Sequence, residues 1–156
     1  MESQPNLVTR LAVAADGARI GRVLDALRAE FGYTAQATVP LPVDANGPLY
    51  VVLAELDDEP AGLIAAEHCY SLVRGTSFLL LSDIYVLDGY RRRGVAARMI
   101  HEVAALGRRL GCQRVSLILD HINNAALATV SRAGFTKLHD ILLQLPLREE
   151  RGADDL

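Results

Sequence analysis

Three arginines run into a glycine in "YRRRGVAARM", residues 90–99. The chemistry open to such a run is anion binding. A helix start carries backbone N–H groups with no intrahelical acceptor and a partial positive charge. Arginines placed just before it oppose that dipole unless something negative sits between them, and a phosphate group fits. Gly94 has no Cβ, so the chain can turn tightly there and bring its N–H groups close to an anion. Ala96 is small enough to permit the same approach, and guanidinium forks can grip phosphate oxygens from the rim. Taken alone, R-x-x-G-x-A also describes a solvated basic turn. Neither the G-x-G-x-x-G dinucleotide fingerprint nor the G-x-x-x-x-G-K-[ST] phosphate loop is present.

Periodicity indicates the elements that would position this run. "SFLLLSDIYVL" (77–87), apolar on both faces at its start, predicts a long central strand just before the arginines. After them Val95, Met99, Ile100, Val103, Leu106 and Leu110 form the apolar stripe of a helix over about 94–110, with Gly111 as its stop. Upstream, "LVTRLAVA" (7–14) alternates as a first strand. Asp16 is placed to cap a helix over about 17–31, whose buried face would be Ile20, Val23, Leu24, Leu27 and Phe31. "VPLPVDANGP" (39–48) is a loop, and residues 49–56 and 61–72 read as strands joined in a hairpin by the turn-like "DDEP". Downstream, 114–120 is a buried strand, and a helix runs from Asn123, its N-cap, to Ala133, with Gly134 as its stop. Residues 135–147 supply the last strands or a hairpin. The order predicts an α/β (α+β) domain on a mixed sheet.

At 156 residues the chain suits one domain, expected over 1–148, with 149–156 a charged tail. Half of it is apolar (51%), enough for a sizeable core. A net charge of −3 argues against general nucleic-acid affinity, which needs a basic face, so the arginines are a local feature. Cys69 and Cys112 have no metal-site spacing and read as buried or half-buried thiols. The N-terminus has no signal-peptide pattern, and the longest apolar stretch is too short to span a bilayer. A cytoplasmic protein with no membrane partner is expected.

"LSDIYVLDGYRRRGVAARMI", "RVSLILD" and "NNAALATVSRAGF", in that order, resemble the GNAT superfamily of acyl-CoA-dependent N-acetyltransferases. "YRRRGVA" looks like that family's Q/R-x-x-G-x-G/A pyrophosphate loop, and Asn123-x-x-Ala126 followed by Gly134-Phe135 looks like its second motif. The close match covers about residues 77–136. The resemblance implies a mostly antiparallel sheet, splayed between its fourth and fifth strands and flanked by helices. It implies acetyl-CoA as co-substrate and no metal. Backbone N–H groups of Arg92, Arg93, Gly94, Val95, Ala96 and Ala97 would hold the diphosphate, with Arg91 at the motif's first position. The edge formed by Ile84, Tyr85 and Val86 would pair with the pantetheine amides, and Asn123 and Ala126 would line its other side.

Acyl transfer to an amine needs a neutral nucleophile, donors for the oxyanion and a route for the thiolate's proton. Many relatives protonate the thiolate with a tyrosine four residues before the Gly-Phe pair; here that position is Val130. Polyamine acetyltransferases carry Glu-Asp where this strand has Ser82-Asp83. The remaining candidates for acid–base work are Asp83, on the central strand, and Asp120 and His121, at the end of the fifth. Glu67, His68 and Tyr70 could also face substrate, with His68 and Tyr70 on one side of their strand. Tyr33 falls in the segment where relatives bind acceptor. The function implied is transfer of an acetyl group to a small primary amine. The alternatives are a CoA-binding regulatory module without turnover, or acetylation of protein N-termini or lysines. The acidic "DDE" (57–59) and Asp44 hint at a cationic acceptor. A homodimer through "LIAAEHCY" or the C-terminal strands is a further expectation.

Overall fold

The computed structural model describes residues 4–34, 47–119 and 124–147. Five strands form one sheet in sequential order: β1 (Leu7–Leu11), β2 (Leu49–Leu56), β3 (Glu59–Ser71), β4 (Thr76–Val86) and β5 (Val115–Leu117). The first three pairings are antiparallel, and β4 with β5 is parallel. The parallel pair needs a crossover, and α2 (Val95–Arg109) supplies it, packed on the sheet face opposite α1. Helix α1 (Gly17–Phe31) joins β1 to β2, and α3 (Asn124–Arg132) comes after β5.

Each face of the sheet has its own core. On β2 the alternation is strict: Tyr50, Val52, Ala54 and Leu56 face α2, while Val51 and Leu53 face α1. Val95, Met99, Ile100, Val103 and Leu106 of α2 complete the first core, and Ile20 and Val23 of α1 complete the second. The β2–β3 turn uses two left-handed aspartates, Asp57 (φ 50°) and Asp58 (φ 65°), the pair of positive φ angles that tight hairpins require.

A bulge in the β3–β4 ladder changes which residues face which core. Ala66 lies opposite Leu81 and Ala65 opposite Asp83, so Ser82 is the extra residue. Before it Leu79 and Leu81 point to the α2 side. After it Ile84 and Val86 do so, and Tyr85 joins the α1 side. Alternation puts Asp83 on the same side as Tyr85.

Four expectations are revised. Asp16 stands at the N-cap of α1, but its carboxylate makes no cap bond. It accepts instead from Arg10 (both contacts 2.8 Å) and from the Val13 N–H. Arg10 also pairs with Glu55 at 2.6 Å, and Arg19 meets Glu55 at 2.8 Å, so these carboxylates serve a network linking β1, β2 and α1. Phe31, placed by its spacing in the buried stripe of α1, is 52% exposed. The fifth strand is three residues long rather than seven, and half-buried, because β4 diverges from it beyond Leu81. Residues 135–147 form no strand. Their apolar side chains find no cover among the described residues: Leu138, Ile141, Leu142, Leu143, Leu145 and Leu147 are all more than 60% exposed.

Candidate active site

Strand β4 is paired on both edges only as far as Leu81. Its contacts with β5 are Leu79 to Val115, Leu80 to Ser116 and Leu81 to Leu117, and the Ile118 N–H reaches the Leu81 carbonyl at 3.5 Å. From Ser82 to Val86 the β5-side edge has no ladder partner among the described residues, although β3 continues on the other side to Gly62 opposite Val86. An extended ligand can bind such an edge as an added strand. Gly62 is required there: a Cβ would stand 2.6 Å from the Tyr85 carbonyl oxygen.

The basic run comes directly after this edge. Residues Asp88–Tyr90 form a single 3-10 turn, and α2 begins at Val95. Between them Arg92 (φ 61°) and Gly94 (φ 77°) are both left-handed. That conformation suits a glycine and costs an arginine about 1 kcal/mol. It folds the loop so that Gly94 becomes the N-cap of α2 and its carbonyl accepts from the Arg98 N–H at 3.0 Å. The N–H groups of Arg92 through Ala97 have no acceptor among the described residues. Arg92 and Arg93 are exposed and likewise have no partner among those residues. Unpaired amides at the start of a 15-residue helix, beside two free guanidinium groups, favour an anion.

Arg91 is differently placed. Its Nη2 meets Glu30 Oε2 at 2.6 Å, its Nη1 meets Asp88 at 3.3 Å, and its Nε donates to the Val86 carbonyl at 3.1 Å. Its guanidinium lies 5.5 Å from the centre of the Tyr85 ring. The Tyr85 hydroxyl donates a short hydrogen bond to the same Glu30 oxygen. Arg91, and then the Tyr85 hydroxyl, hold the Glu30 carboxyl below its ordinary range. Burial, and then Glu30, push Tyr85 up to about 12, so it stays protonated near neutrality. Glu30 is not among the residues that the sequence singles out. It lies 61 positions from Arg91, and no local pattern marks it.

Beside this cluster, Phe31 lies edge-on to Tyr85, with ring centres 6.3 Å apart, and Tyr33 lies 6.3 Å from Phe31. Both Phe31 and Tyr33 are more than half exposed, and Asp83 is exposed on the same face of β4. The α1 side of β4 thus offers the Asp83 carboxylate and an aromatic shelf beside the paired Glu30. Asp120, His121 and Asn123 lie outside the described residues, as does Asp44. Ala126 is half-buried on α3. Val130 is buried in the α2-side core and brings no hydroxyl. The "DDE" turn is occupied structurally: Asp57 accepts from the Asn6 N–H at 2.9 Å, and Glu59 pairs with Arg22 at 3.0 Å. Its acidity is therefore no separate sign of a cationic acceptor.

His68 and Tyr70 share a face of β3, as alternation predicts, with rings 4.9 Å apart. They belong to the end of the sheet remote from the loop, since His68 lies opposite Leu79 and Tyr70 opposite Ser77. A depression of about 440 Å³ at that end is lined by Tyr70, Ser71, Thr76, Ser77 and Gln113, among others. It does not include the loop or the free edge of β4. Cys69 and Cys112 are free and half-buried. Burial raises the Cys69 thiol, which makes it a poor nucleophile. Among the described residues, no group of three or more His, Cys, Asp or Glu side chains could hold a metal ion, and no helix is long and apolar enough to cross a membrane.

Residues 21–135 match the model of the acetyltransferase (GNAT) family, which covers most of the chain. The chain belongs to the GNAT family. The fold of this GNAT protein resembles that of an aminoglycoside acetyltransferase from an uncultured soil metagenomic sample, solved in complex with sisomicin. The TM-score is 0.78 at 15% identity, over 91% of this chain and 97% of that one. A ribosomal-protein-alanine N-acetyltransferase from Brucella melitensis biovar Abortus 2308 gives 0.75 at 13% identity, over 90% and 100%. An aminoglycoside N-acetyltransferase in complex with CoA gives 0.70 at 20% identity, over 89% and 98%. No curated protein matches the chain. For this GNAT chain the mixed, mostly antiparallel sheet and the flanking helices are those its resemblance implies, and the fold adds the sequential strand order with β4 and β5 parallel.

Proposed function

We propose that this GNAT protein transfers an acetyl group from acetyl-CoA to a primary amine of a small molecule. The observation that carries the reading is the continuity of two features: the β5-side edge of β4 over Ser82–Val86, which has no ladder partner among the described residues, and the amides of residues 92–97 just beyond it, which have no acceptor among them. An extended, amide-bearing arm that ends in a diphosphate needs both, in that order. Bound acetyl-CoA supplies an activated thioester. The chain's own residues do the rest. Amides 92–97, with Arg92 and Arg93, bind and neutralise the phosphates. Ile84, Tyr85 and Val86 present the backbone edge that orients the arm. Asn123 and Ala126 would complete its other wall.

Among the described residues, Asp83 is the candidate placed to act on the acceptor. It is exposed beside the end of the paired ladder, on the face that carries the aromatic shelf. A carboxylate there would hold an ammonium group and take one proton from it, directly or through water, before the neutral nitrogen attacks the carbonyl carbon; the second proton leaves the nitrogen for water as the amide forms. The carbon–sulfur bond breaks and the thiolate leaves. Val130 offers it no proton, and a thiol of pKa about 8.5 is already a fair leaving group. Phe31 and Tyr33 would pack the apolar part of the amine. Asp120 and His121 are the other candidate bases.

Thiol release from acetyl-CoA, measured across a panel of small amines, tests the reading. Turnover is expected with at least one amine. Asp83→Asn is expected to lower it about 100-fold, the ordinary size of a general-base effect, with the KM for acetyl-CoA unchanged. Tight CoA binding without turnover on any amine would replace the enzyme with a CoA-binding module. Turnover only on peptide amines would assign a protein acceptor.

A further inference from the structure

Arg91 occupies the first position of the phosphate loop, yet its hydrogen bonds are directed at the protein. Three of its five N–H donors are committed to Glu30, Asp88 and Val86, and its guanidinium carbon lies 5.5 Å from the centre of the Tyr85 ring. Those partners belong to three separate elements: the last turn of α1, the turn after β4, and β4 itself. Next in the chain is Arg92, one of two left-handed residues on which the shape of the loop depends.

We infer that Glu30 is a positioning residue for the phosphate loop: acting through Arg91, it locks the start of the loop to α1 and β4, so that Arg91 organises the site rather than gripping phosphate itself. The inference rests on the reading of residues 92–97 as a CoA phosphate site. Loop geometry supplies the physical reason. A non-glycine residue held left-handed is strained and persists only when its surroundings over-determine it. An anchored Arg91 is such a constraint immediately upstream. Pre-ordering the loop removes a cost that binding would otherwise bear. The single Glu30 oxygen that accepts from both Arg91 and Tyr85 also ties this anchor to the aromatic shelf. The same contact therefore fixes the cofactor loop and the wall on which the acceptor would rest.

The sign of one substitution separates this role from its rival. Glu30→Gln removes a negative charge near the loop and frees a guanidinium. If Arg91 were a phosphate ligand restrained by Glu30, or if Glu30 merely repelled the ligand, affinity for CoA would rise. If Glu30 positions the loop, affinity falls despite the more favourable charge. The experiment is calorimetric titration of the full-length chain and its variants with CoA, alongside NMR titration with pantetheine, which lacks the phosphates. For Glu30→Gln the CoA dissociation constant is expected to increase about tenfold, with pantetheine affinity and thermal midpoint nearly unchanged. Tyr85→Phe is expected to act in the same direction and by less, because it leaves the ion pair in place. Unchanged or tighter CoA binding by Glu30→Gln, or equal losses for both ligands, would overturn the inference while leaving the CoA site standing. Absence of CoA binding by the wild-type chain would overturn both.

Discussion

Residues 49–109 and residues 115–147 carry comparable runs of aliphatic side chains, and the fold treats them in opposite ways. In the first region Leu53, Leu63, Ile64, Leu79, Leu81 and Met99 are fully buried between a sheet and a helix. In the second, β5 has three half-buried residues, Val130 is the one fully buried side chain of α3, and the leucines from Leu138 onward are open to solvent. The difference is partnership rather than hydrophobicity. Strands β2, β3 and β4 each have a neighbour along most of their length and lie between α1 on one face and α2 on the other, so their apolar side chains have partners to pack against. Beyond Leu81 the β4–β5 ladder ends, and residues 135–147 pair with no described strand. The end of the β4–β5 ladder is also what leaves the β5-side edge of β4 beyond Leu81 without a ladder partner among the described residues.

The sharpest way to break this comparison is in the first region. Leu81→Ala removes a fully buried side chain at the last two-sided position of β4, and should cost about 3 kcal/mol in chemical denaturation. An intermediate effect is expected at the β1–β2–α1 network. Arg10 first, then the Val13 amide, lower the Asp16 carboxyl from 3.8 to about 2 against the opposing cost of burial. A carboxyl depressed in the fold contributes stability that is present above its unfolded value near 3.8 and lost as pH falls through about 2. Asp16→Asn should therefore lose about 2 kcal/mol at neutral pH and much less near pH 2, as read from denaturation midpoints across that range. The smallest effect belongs to the tail. Leu143→Ser, at a position 86% exposed, should change stability by less than about 0.5 kcal/mol. A loss there comparable to that of Leu81→Ala would mean that the segment packs against something, and the contrast between the two regions would fail.

The same contrast explains which elements are legible in the residue order. The sequence predicts helix α2 over 94–110 and it is Val95–Arg109, because its stripe recurs at helical spacing and Gly111 ends it. Strand β4, predicted over 77–87, is Thr76–Val86. The loop proposed to hold phosphate is legible because Gly94 and the arginines carry their chemistry locally. The strand pattern in 135–147 misleads, since alternation describes a face and cannot supply a neighbour to pair with. Phe31 keeps the spacing of a buried position, yet at the end of α1 it meets only the edge of the Tyr85 ring and leaves half its surface open. The role of Asp16 is hidden for a related reason: an N-cap and an arginine partner look alike until Arg10 is folded beside it. Glu30 is the plainest case. Its meaning depends on a contact between α1 and the end of β4 that only the tertiary fold creates.

The most direct measurement of the central claim is calorimetric titration of CoA into the wild-type chain and into Gly94→Glu. Gly94 is left-handed with open space where a Cβ would stand, so the substitution strains the backbone by about 1 kcal/mol without a clash and should leave the fold intact by circular dichroism. It places a carboxylate at the helix start, against any phosphate there. The expected result is one CoA bound per wild-type chain and no detectable binding by the folded variant. Equal affinity in the two proteins would contradict the assignment of residues 92–97 as the phosphate site.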